Sequence, residues 1–342
     1  MKNVLLISPT WVNIHEDLME ALRKQGMKVE LFPEYSFPED SLRIKGKKTP
    51  VTPAQEDEMK SAYWKEQLNK TTTSFDFALV IDGQGVNSYL FEKLKSRNPL
   101  VYCVNYLYDV TYSIYHFEAC FNFYDKVFTF DRKDAELYGI NLLPIYWSLI
   151  EEISDSPVYE IFGFGSYSEN RLRLYSQIKE LAENTGKTCF IKLHHKPIKN
   201  ILIYRLKNRL RSLLNLPRLI SPSIYKSDMI TNEFISTNDF RQLIAKSDVI
   251  LDTKVHNQDG LTARFMWALG LGKKIITTNE AVRNYDFYTK DQILVLEDKY
   301  YTKDELLIIK RFIEHDYNED SKIRDNIDKL RIDNWLNTIM TK

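Results

Sequence analysis

The sequence predicts an α/β protein built from two doubly wound parallel sheets, one after the other along the chain. Short continuous apolar runs, such as residues 4–7 and 77–81, have the composition of strands that are buried on both faces. Segments with helical spacing lie between them, as at residues 15–25, where Gly26 follows the last apolar position. Because strands and helices alternate, we expect parallel pairing with helices covering both faces of each sheet.

The same alternation starts again near the middle of the chain, which predicts two domains. A length of 342 residues is more than one ordinary core organises, and an apolar content of 44% is enough for two. The polar and acidic residues 151–157 are the predicted linker. We predict a first domain at residues 1–152, a second at 153–320, and a C-terminal helix at 321–342 that packs back on the first domain.

Composition excludes several classes of protein. Lys plus Arg and Asp plus Glu each number 47, so the chain lacks the excess positive charge of nucleic-acid-binding domains, and no nucleic-acid partner is predicted. Three cysteines in apolar surroundings indicate reduced thiols and a cytoplasmic protein. No segment reaches the roughly 18 uncharged apolar residues that a spanning helix requires, so we expect no transmembrane helix.

The strongest candidate for a ligand site follows the strand that ends at Asp252. The polar loop after it crosses the carboxyl edge of the predicted sheet and leads into a helix, whose N-terminus presents free N–H groups to anions. Thr262 offers a hydroxyl and Arg264 a bidentate guanidinium, which together suit a diphosphate. A plain loop-to-helix junction capped by Thr262 fits the pattern equally well. The predicted ligand-binding residues of this segment are Asp252, Gln258, Gly260, Leu261, Thr262 and Arg264.

A second candidate loop leaves the first strand of the second domain. Gly163 and Gly165, followed by Ser166, let the backbone approach a ligand closely, as phosphate-binding loops require. Arg171 follows in the next helix and adds a cation. Because the glycine pattern is short, an ordinary turn is the alternative.

A third cluster of polar residues ends the next strand. Lys192 and His194 are predicted to contact phosphate, with a simple polar strand end as the alternative. The pair His194 and His195 does not predict a metal site, because adjacent strand residues point to opposite faces and neither a cysteine nor a carboxylate lies at ligand spacing. We therefore expect no metal.

Polar side chains also follow the strands of the first domain. Transfer of a group to a hydroxyl needs a general base within hydrogen-bond reach of that hydroxyl. Asp109 and His15 are the predicted bases, with Glu16 and Asp17 as further candidates; a helix cap or a surface group is the alternative for each. The residues predicted to bind the acceptor at this edge are Thr10, Trp11, Asn13, Gln84 and Tyr108.

The stretch at residues 192–226 is strongly cationic. It contains nine Lys or Arg and no Asp or Glu, and its middle, residues 201–214, interleaves basic with bulky apolar side chains. This pattern predicts an amphipathic helix that lies on an anionic membrane surface. An ordinary helix with a solvated basic face is an alternative, and RNA binding is a weaker one because no stacking module accompanies it.

Several of these segments together resemble a known family. The run 258–264, followed by 273–279 and 285–288, resembles bacterial capsule and O-antigen glycosyltransferases, which are relatives of the spore-maturation glycosyltransferases and include galactofuranosyltransferase-like members. Residues 162–172 are similar to the start of their nucleotide-binding domain, and 107–109 with 124–135 match their first-domain pattern. The resemblance implies the GT-B arrangement, in which two Rossmann-like domains face a cleft, with the sugar nucleotide on the second and the acceptor on the first.

The function that this resemblance implies is metal-independent transfer of a sugar, such as galactofuranose, from a UDP-linked donor to a glycan, including a lipid-linked one. Arg264 and Lys273 would neutralise the leaving diphosphate in place of a divalent cation, with no cofactor beyond the co-substrate. Trp267 stands where many GT-B enzymes have a glutamate that holds the ribose, which leaves that contact unassigned. The alternatives are a UDP-sugar epimerase of similar build and a non-catalytic nucleotide-sugar-binding module of a capsule-assembly complex.

Overall fold

The computed structural model describes most of the chain. The described residues are 1–10, 13–35, 43–44, 47–48, 52–114, 117–150, 159–196, 201–213, 227–255, 258–318 and 320–341. The predicted linker at 151–157 and Trp11 lie outside the described residues. The cationic stretch at 192–226 is described only at 192–196 and 201–213.

The first sheet begins the chain. Its strands are β1 (Asn3–Ser8), β2 (Lys28–Pro33), β5 (Phe77–Ile81), β6 (Tyr102–Leu107), β7 (Lys126–Thr129) and β8 (Asn141–Leu142); β3 (Arg43–Ile44) and β4 (Lys47–Lys48) form a separate antiparallel pair. The connecting helices are α1 (Ile14–Lys24), α2 (Pro53–Asn69), α3 (Ser88–Arg97) and α4 (Arg132–Tyr138). The strand order is β2-β1-β5-β6-β7-β8, with every described pair parallel, so the direction of winding reverses between β1 and β5.

The second sheet repeats this topology. Its strands are β9 (Tyr159–Ser166), β10 (Cys189–His194), β11 (Ile230–Thr231), β12 (Ser247–Leu251), β13 (Lys274–Thr277) and β14 (Ile293–Val295). The helices of this half are α5 (Glu169–Asn184), α6 (Ile201–Leu213), α7 (Thr237–Ala245), α8 (Ala263–Gly270) and α9 (Lys303–Glu314), and α10 (Ser321–Asp328) and α11 (Ile332–Met340) follow. The order β11-β10-β9-β12-β13-β14 is parallel throughout and reverses between β9 and β12.

The two sheets confirm the predicted fold class of two Rossmann-like, doubly wound α/β domains. The buried strands form where the sequence has continuous apolar runs: every side chain of β5 is buried, and so are Val4 to Ser8 of β1. Helix α2 begins at Pro53, because Thr52 caps it and exchanges hydrogen bonds with Gln55. None of the described helices is both long enough and apolar enough to cross a bilayer.

The chain forms two compact units that are not continuous in sequence. The first contains residues 1–148, 255–266 and 325–342, and the second contains residues 149–254 and 267–324. The loop after β12 and the C-terminal helix thus belong to the same unit as the first sheet.

The C-terminal helix α11 is held in the first unit by Trp335. The indole is fully buried, with its ring 4.7 Å from that of Tyr106 and 5.1 Å from that of Tyr146. Its Nε1 donates a hydrogen bond of 3.0 Å to the carbonyl oxygen of Pro144. Large aromatic side chains of this kind contribute strongly to a core, and the hydrogen bond satisfies the one polar atom of the indole.

We predict that Trp335→Ala lowers the free energy of unfolding of the first unit by about 3 to 5 kcal/mol, because it removes a buried indole and leaves a cavity. Urea denaturation followed by circular dichroism measures the change. Trp335→Phe keeps an aromatic ring and loses the hydrogen bond to Pro144, so its effect should be clearly smaller. Equal stability of the alanine variant and the wild type would show that α11 is not anchored through this residue.

Candidate functional site

Topology identifies one ligand position in each unit. In open parallel sheets, ligands bind beyond the carboxyl ends of the strands where the winding direction reverses. In the second unit this point lies between β9 and β12, next to Ser166 and Asp252. In the first unit it lies between β1 and β5, next to Ser8 and Asp82.

Arg171 connects the two loops that leave the switch point of the second unit. Its Nε donates to Oγ1 of Thr253 at 2.8 Å, and its Nη1 donates to the carbonyl oxygen of Ser166. The residue lies in the first turn of α5, where its backbone N–H donates to the capping hydroxyl of Ser168 at 3.2 Å. The structure therefore brings the predicted residues Ser166 and Arg171 together, and it adds the buried Thr253, which the sequence analysis did not select.

Asp252 and His194 lie at the same edge in different settings. Asp252 is buried, and its Oδ2 accepts a hydrogen bond of 3.2 Å from the hydroxyl of Thr277, which joins the ends of β12 and β13. His194 ends β10, and its ring lies 4.9 Å from that of Phe234, a residue that is 84% exposed. An exposed aromatic ring at this edge is a feature that the sequence analysis missed.

Three residues predicted for this site lie elsewhere. Gly163 is buried within β9, where an added Cβ would lie 3.1 Å from the ring of Tyr175, so its small size serves helix-to-sheet packing. The Nζ of Lys192 donates to the carbonyl oxygen of Asp228. Lys273 comes directly before β13, at the opposite, amino-terminal edge of the sheet. The structure thus corrects the prediction for Lys273, which lies away from the switch point, while the roles predicted for Gly163 and Lys192 stay predictions.

The amino-terminal edge of the second sheet has a cavity of its own. It measures about 490 Å³, and Lys187, Lys273, Lys274 and Asp248 are among the residues that line it. Burial lowers the pKa of Lys273 and of Lys274. The Nζ of Lys274 donates to three carbonyl oxygens at the end of α9, including that of Ile313 at 2.7 Å, so it completes the C-terminus of that helix.

Asp131 fixes the loop that contains the strongest sequence motif. Its Oδ2 accepts hydrogen bonds from the backbone N–H groups of Asp259 at 2.7 Å and Gly260 at 2.8 Å. Its Oδ1 accepts from the N–H groups of Lys133 and Asp134 and so caps α4. The sequence indicates the cap, an aspartate directly before a helix, but the contact with residues more than 120 positions away has no local signal.

Gly260 is required by packing. A Cβ at this position would lie 2.4 Å from the ring of Phe130, which no other residue type tolerates without a shift. The sequence predicted that the backbone here contacts a diphosphate. In the structure the N–H of Gly260 donates to Asp131 instead. Thr262 accepts a hydrogen bond of 3.1 Å from the N–H of Phe265 through Oγ1, which is the capping role that the sequence left open.

The other predicted residues of this segment are mostly buried. Leu261 is 1% exposed, and Gln258 and Arg264 are each 8% exposed. The Nε2 of Gln258 lies 3.4 Å from the carbonyl oxygen of Gly260. Among the described residues, no group of three or more His, Cys, Asp or Glu side chains could hold a metal ion.

In the first unit, the predicted residues that the structure describes follow strands β1, β5 and β6, at the carboxyl edge of the sheet. Thr10, Asn13 and Gln84 are exposed, while Tyr108 and His15 are partly buried. Asp109 is exposed, and its Oδ1 accepts a hydrogen bond of 2.8 Å from the N–H of Val110. Of the further candidates, Asp17 accepts a hydrogen bond of 3.3 Å from the hydroxyl of Tyr146.

Asp82 lies at the centre of this edge and was not selected from the sequence. It is buried, directly after β5, and it has a φ of +59°, in the left-handed region. Its Oδ1 accepts hydrogen bonds from the N–H groups of Tyr108 at 2.7 Å and Asp109 at 3.0 Å. Burial raises the pKa of Asp82 to about 6 against the lowering effect of these two N–H groups, and the charge of Asp109 raises it further.

Glu34 is a second carboxyl group at this edge that the sequence analysis missed. It follows β2, and its Oε1 accepts a hydrogen bond of 2.9 Å from the N–H of Gly85. Burial raises the pKa of Glu34 to about 8 against the lowering effect of that hydrogen bond, and the charge of Asp82 raises it further. With this pKa, Glu34 is mostly protonated at neutral pH. Its partner Gly85 packs closely, since a Cβ there would lie 2.4 Å from the carbonyl oxygen of Tyr35.

Comparison with known proteins supports the fold. No protein-family model matches the sequence, and no curated protein matches it. Solved structures do match. The N-terminal domain of trehalose-6-phosphate phosphatase from Candida albicans is 10% identical, with a TM-score of 0.55 over 99% of this chain and 95% of that one. An α,α-trehalose 6-phosphate synthase from Burkholderia multivorans is 11% identical, with a TM-score of 0.53 over 99% of this chain and 97% of that one. At such identities the likeness is one of fold, and it shows that the chain has the GT-B fold.

We predict that Glu34→Gln flattens the dependence of stability on pH. Because the pKa of Glu34 is raised to about 8 in the folded protein, the folded state binds more protons than the unfolded state between pH 4.5 and 8. The free energy of unfolding of the wild type should therefore fall as the pH rises through this range. At pH 8.5 the variant should be more stable than the wild type by about 2 to 4 kcal/mol, since its side chain stays neutral.

Urea denaturation of both proteins at pH 5 and pH 8.5 tests this expectation. Glu136→Gln, at an exposed position of α4, is the matched control and should leave the pH dependence unchanged. A variant that follows the wild-type profile at both pH values would show that Glu34 is ionised in the folded protein at neutral pH.

Proposed function

We propose that this protein is a glycosyltransferase that moves a sugar from a UDP-linked donor to a glycan acceptor during synthesis of a bacterial capsule or O-antigen. Galactofuranose is the sugar that the sequence resemblance favours. The observation that carries the proposal is that, at the switch point of each unit of the GT-B fold, one charged side chain is hydrogen-bonded to a loop that leaves another strand of the sheet. The fold likeness to a synthase of trehalose 6-phosphate supports sugar chemistry.

The second unit is proposed to bind the nucleotide. Ser166, Arg171 and Thr253 meet at its switch point, and a guanidinium is the side chain best shaped to bind phosphate oxygens. Gly165 and His194 belong to the same edge. Thr262 and Arg264, with Gln258 and Leu261 beside them in the sequence, belong to the first unit, and their contact with a diphosphate stays a prediction from the sequence.

The reaction is proposed to require no metal and no cofactor, because arginine side chains neutralise the leaving diphosphate. The first unit is proposed to bind the acceptor, with Thr10, Asn13, Gln84 and Tyr108 at the edge of its sheet. The acceptor hydroxyl loses its proton to a side chain of this unit, for which the sequence predicted Asp109 and His15.

Release of the nucleotide distinguishes a glycosyltransferase from the two alternatives, a UDP-sugar epimerase and a non-catalytic nucleotide-sugar-binding module. The purified protein is incubated with UDP-sugars in EDTA, with and without acceptor glycans, and UDP and the sugar isomers are measured. A transferase releases UDP only with the acceptor, an epimerase produces an isomer without releasing UDP, and a binding module does neither. Loss of transfer in EDTA, restored by manganese, would contradict the proposed metal independence.

We predict that Arg171→Ala weakens UDP binding by about 1.5 to 3 kcal/mol, the contribution of a hydrogen bond to a charged group. Arg173→Ala is the matched control on the same helix, since Arg173 pairs with Asp298 at 3.5 Å and lies outside the switch point. Isothermal titration calorimetry gives both affinities. Equal UDP affinity of the Arg171→Ala variant and the wild type would contradict the assignment of the nucleotide to this edge.

The protein is also proposed to work in the cytoplasm and to dock reversibly at the inner face of the cell membrane, where a lipid-linked acceptor would be found. Helix α6 supports this proposal. Its side chains Leu202, Leu206, Leu210 and Leu213 are 73%, 59%, 51% and 80% exposed, and basic residues alternate with them. Apolar side chains that enter the interface and cations that meet anionic headgroups are the two contributions that hold such helices on a membrane.

We predict that the protein binds anionic vesicles at low salt and does not bind neutral ones. Each cation near an anionic surface contributes about 1 kcal/mol, so changing Arg205, Lys207, Arg209 and Arg211 together to Gln should abolish vesicle sedimentation and leave UDP affinity unchanged. A variant with four Gln at the basic positions Lys303, Lys310, Arg311 and Lys322 controls for net charge. Wild-type protein that ignores anionic vesicles at low salt would overturn the membrane proposal.

A further inference from the structure

The strained backbone at Asp82 is held by its surroundings. Asp82 is the one non-glycine residue with a positive φ in the described part of the chain. Its N–H donates to the carbonyl oxygen of Tyr106 at 2.9 Å, and its own carbonyl oxygen accepts a hydrogen bond of 3.2 Å from Nδ2 of Asn105. Residues kept in a sparsely populated conformation by surrounding contacts are concentrated at functional sites. The backbone conformation at Asp82 therefore marks this position as a candidate for a functional role.

The carboxylate of Asp82 has two differently placed oxygens. In the described part of the chain, both of its side-chain hydrogen bonds fall on Oδ1, which accepts the N–H groups of Tyr108 and Asp109. These two bonds fix the orientation of the carboxylate at the carboxyl edge of the sheet, and Oδ2 makes no hydrogen bond to the residues that the structure describes. By contrast, Asp109 is exposed, and its Oδ1 accepts a hydrogen bond from the N–H of the next residue, Val110.

We propose that Asp82, rather than Asp109 or His15, is the catalytic base that takes the proton of the acceptor hydroxyl through Oδ2. This inference rests on the proposed glycosyl transfer. The acceptor O–H bond breaks as its oxygen bonds to the anomeric carbon. The bond from that carbon to the diphosphate oxygen breaks, and its electron pair leaves on the nucleoside diphosphate. The proton ends on Oδ2 of Asp82. This direct displacement inverts the configuration at the anomeric carbon.

The charged groups around Asp82 suit a base that works near neutral pH. Burial raises the pKa of Asp82 to about 6 against the lowering effect of the N–H groups of Tyr108 and Asp109, and the charge of Asp109 in the β6 exit loop raises it further. Glu34, after β2, is mostly neutral at pH 7, because burial raises its pKa to about 8. The charge of Lys60, in α2, lowers the pKa of Glu34 but does not outweigh burial. General bases are most effective when their pKa lies close to the working pH.

The test compares Asp82→Asn with Asp109→Asn in the full-length protein, using the donor and acceptor that the wild type turns over. Asparagine tolerates a left-handed backbone and keeps an oxygen for the two N–H groups, but it cannot take a proton. Asp82→Asn should lower kcat by roughly 100-fold or more at every pH, while leaving the Kd for UDP and the thermal transition as in the wild type.

Asp109→Asn provides a second readout. Removing its charge lowers the pKa of Asp82, so the acid limb of the kcat profile, near pH 6 in the wild type, should move to lower pH. The loss of kcat on its plateau should be far smaller than that of Asp82→Asn. NMR of the product should show inversion at the anomeric carbon.

Near-normal kcat of Asp82→Asn, or retention of configuration in the wild type, would overturn the assignment of Asp82 and leave the transferase proposal standing. Absence of transfer by the wild type with every donor and acceptor would overturn the proposed function, and this inference with it.

Discussion

A single buried carboxylate, that of Asp131, holds residues 259 and 260, at the end of the β12–α8 loop, against the start of α4. It accepts four backbone N–H groups, two from the start of α4 and two from residues 259 and 260. A hydrogen bond to a charged group contributes roughly 1.5 to 3 kcal/mol, and leaving its partner unsatisfied in a buried site costs a similar amount. The ring of Phe130 then leaves room for only a glycine at position 260. The start of α8, with Thr262 and Arg264, follows from this anchoring.

At each switch point one charged side chain joins two loops that leave neighbouring strands, and the two side chains have opposite charge. In the second unit, the guanidinium of Arg171 joins the β9 and β12 exit loops through Ser166 and Thr253. In the first unit, the carboxylate of Asp82 joins the β5 and β6 exit loops through two N–H groups. A cation suits a nucleotide diphosphate and an anion suits proton transfer from a hydroxyl, which is the basis for proposing the nucleotide on the second unit and the acceptor on the first.

The sequence predicted the fold well because buried parallel strands are continuous apolar runs, as in β1 and β5. Strands of two residues, such as β8 and β11, are too short to have a pattern, and only pairing identifies them. The rule that ligands lie at carboxyl strand ends selected Ser166 and Arg171, which the structure brings together, and Asp109, whose N–H donates to Asp82. It could not tell a glycine needed for packing, Gly163, from one needed for a ligand. Asp82 was missed because its properties come from burial and from partners more than 20 residues away.

A crystal structure of the protein with UDP bound is the most direct test of the proposed donor site. We expect the diphosphate to lie at the carboxyl edge of the second sheet, within hydrogen-bond distance of the guanidinium of Arg171 and the backbone after β9. Density for UDP in the cavity beside Lys187 and Lys273, at the opposite edge of that sheet, would contradict it.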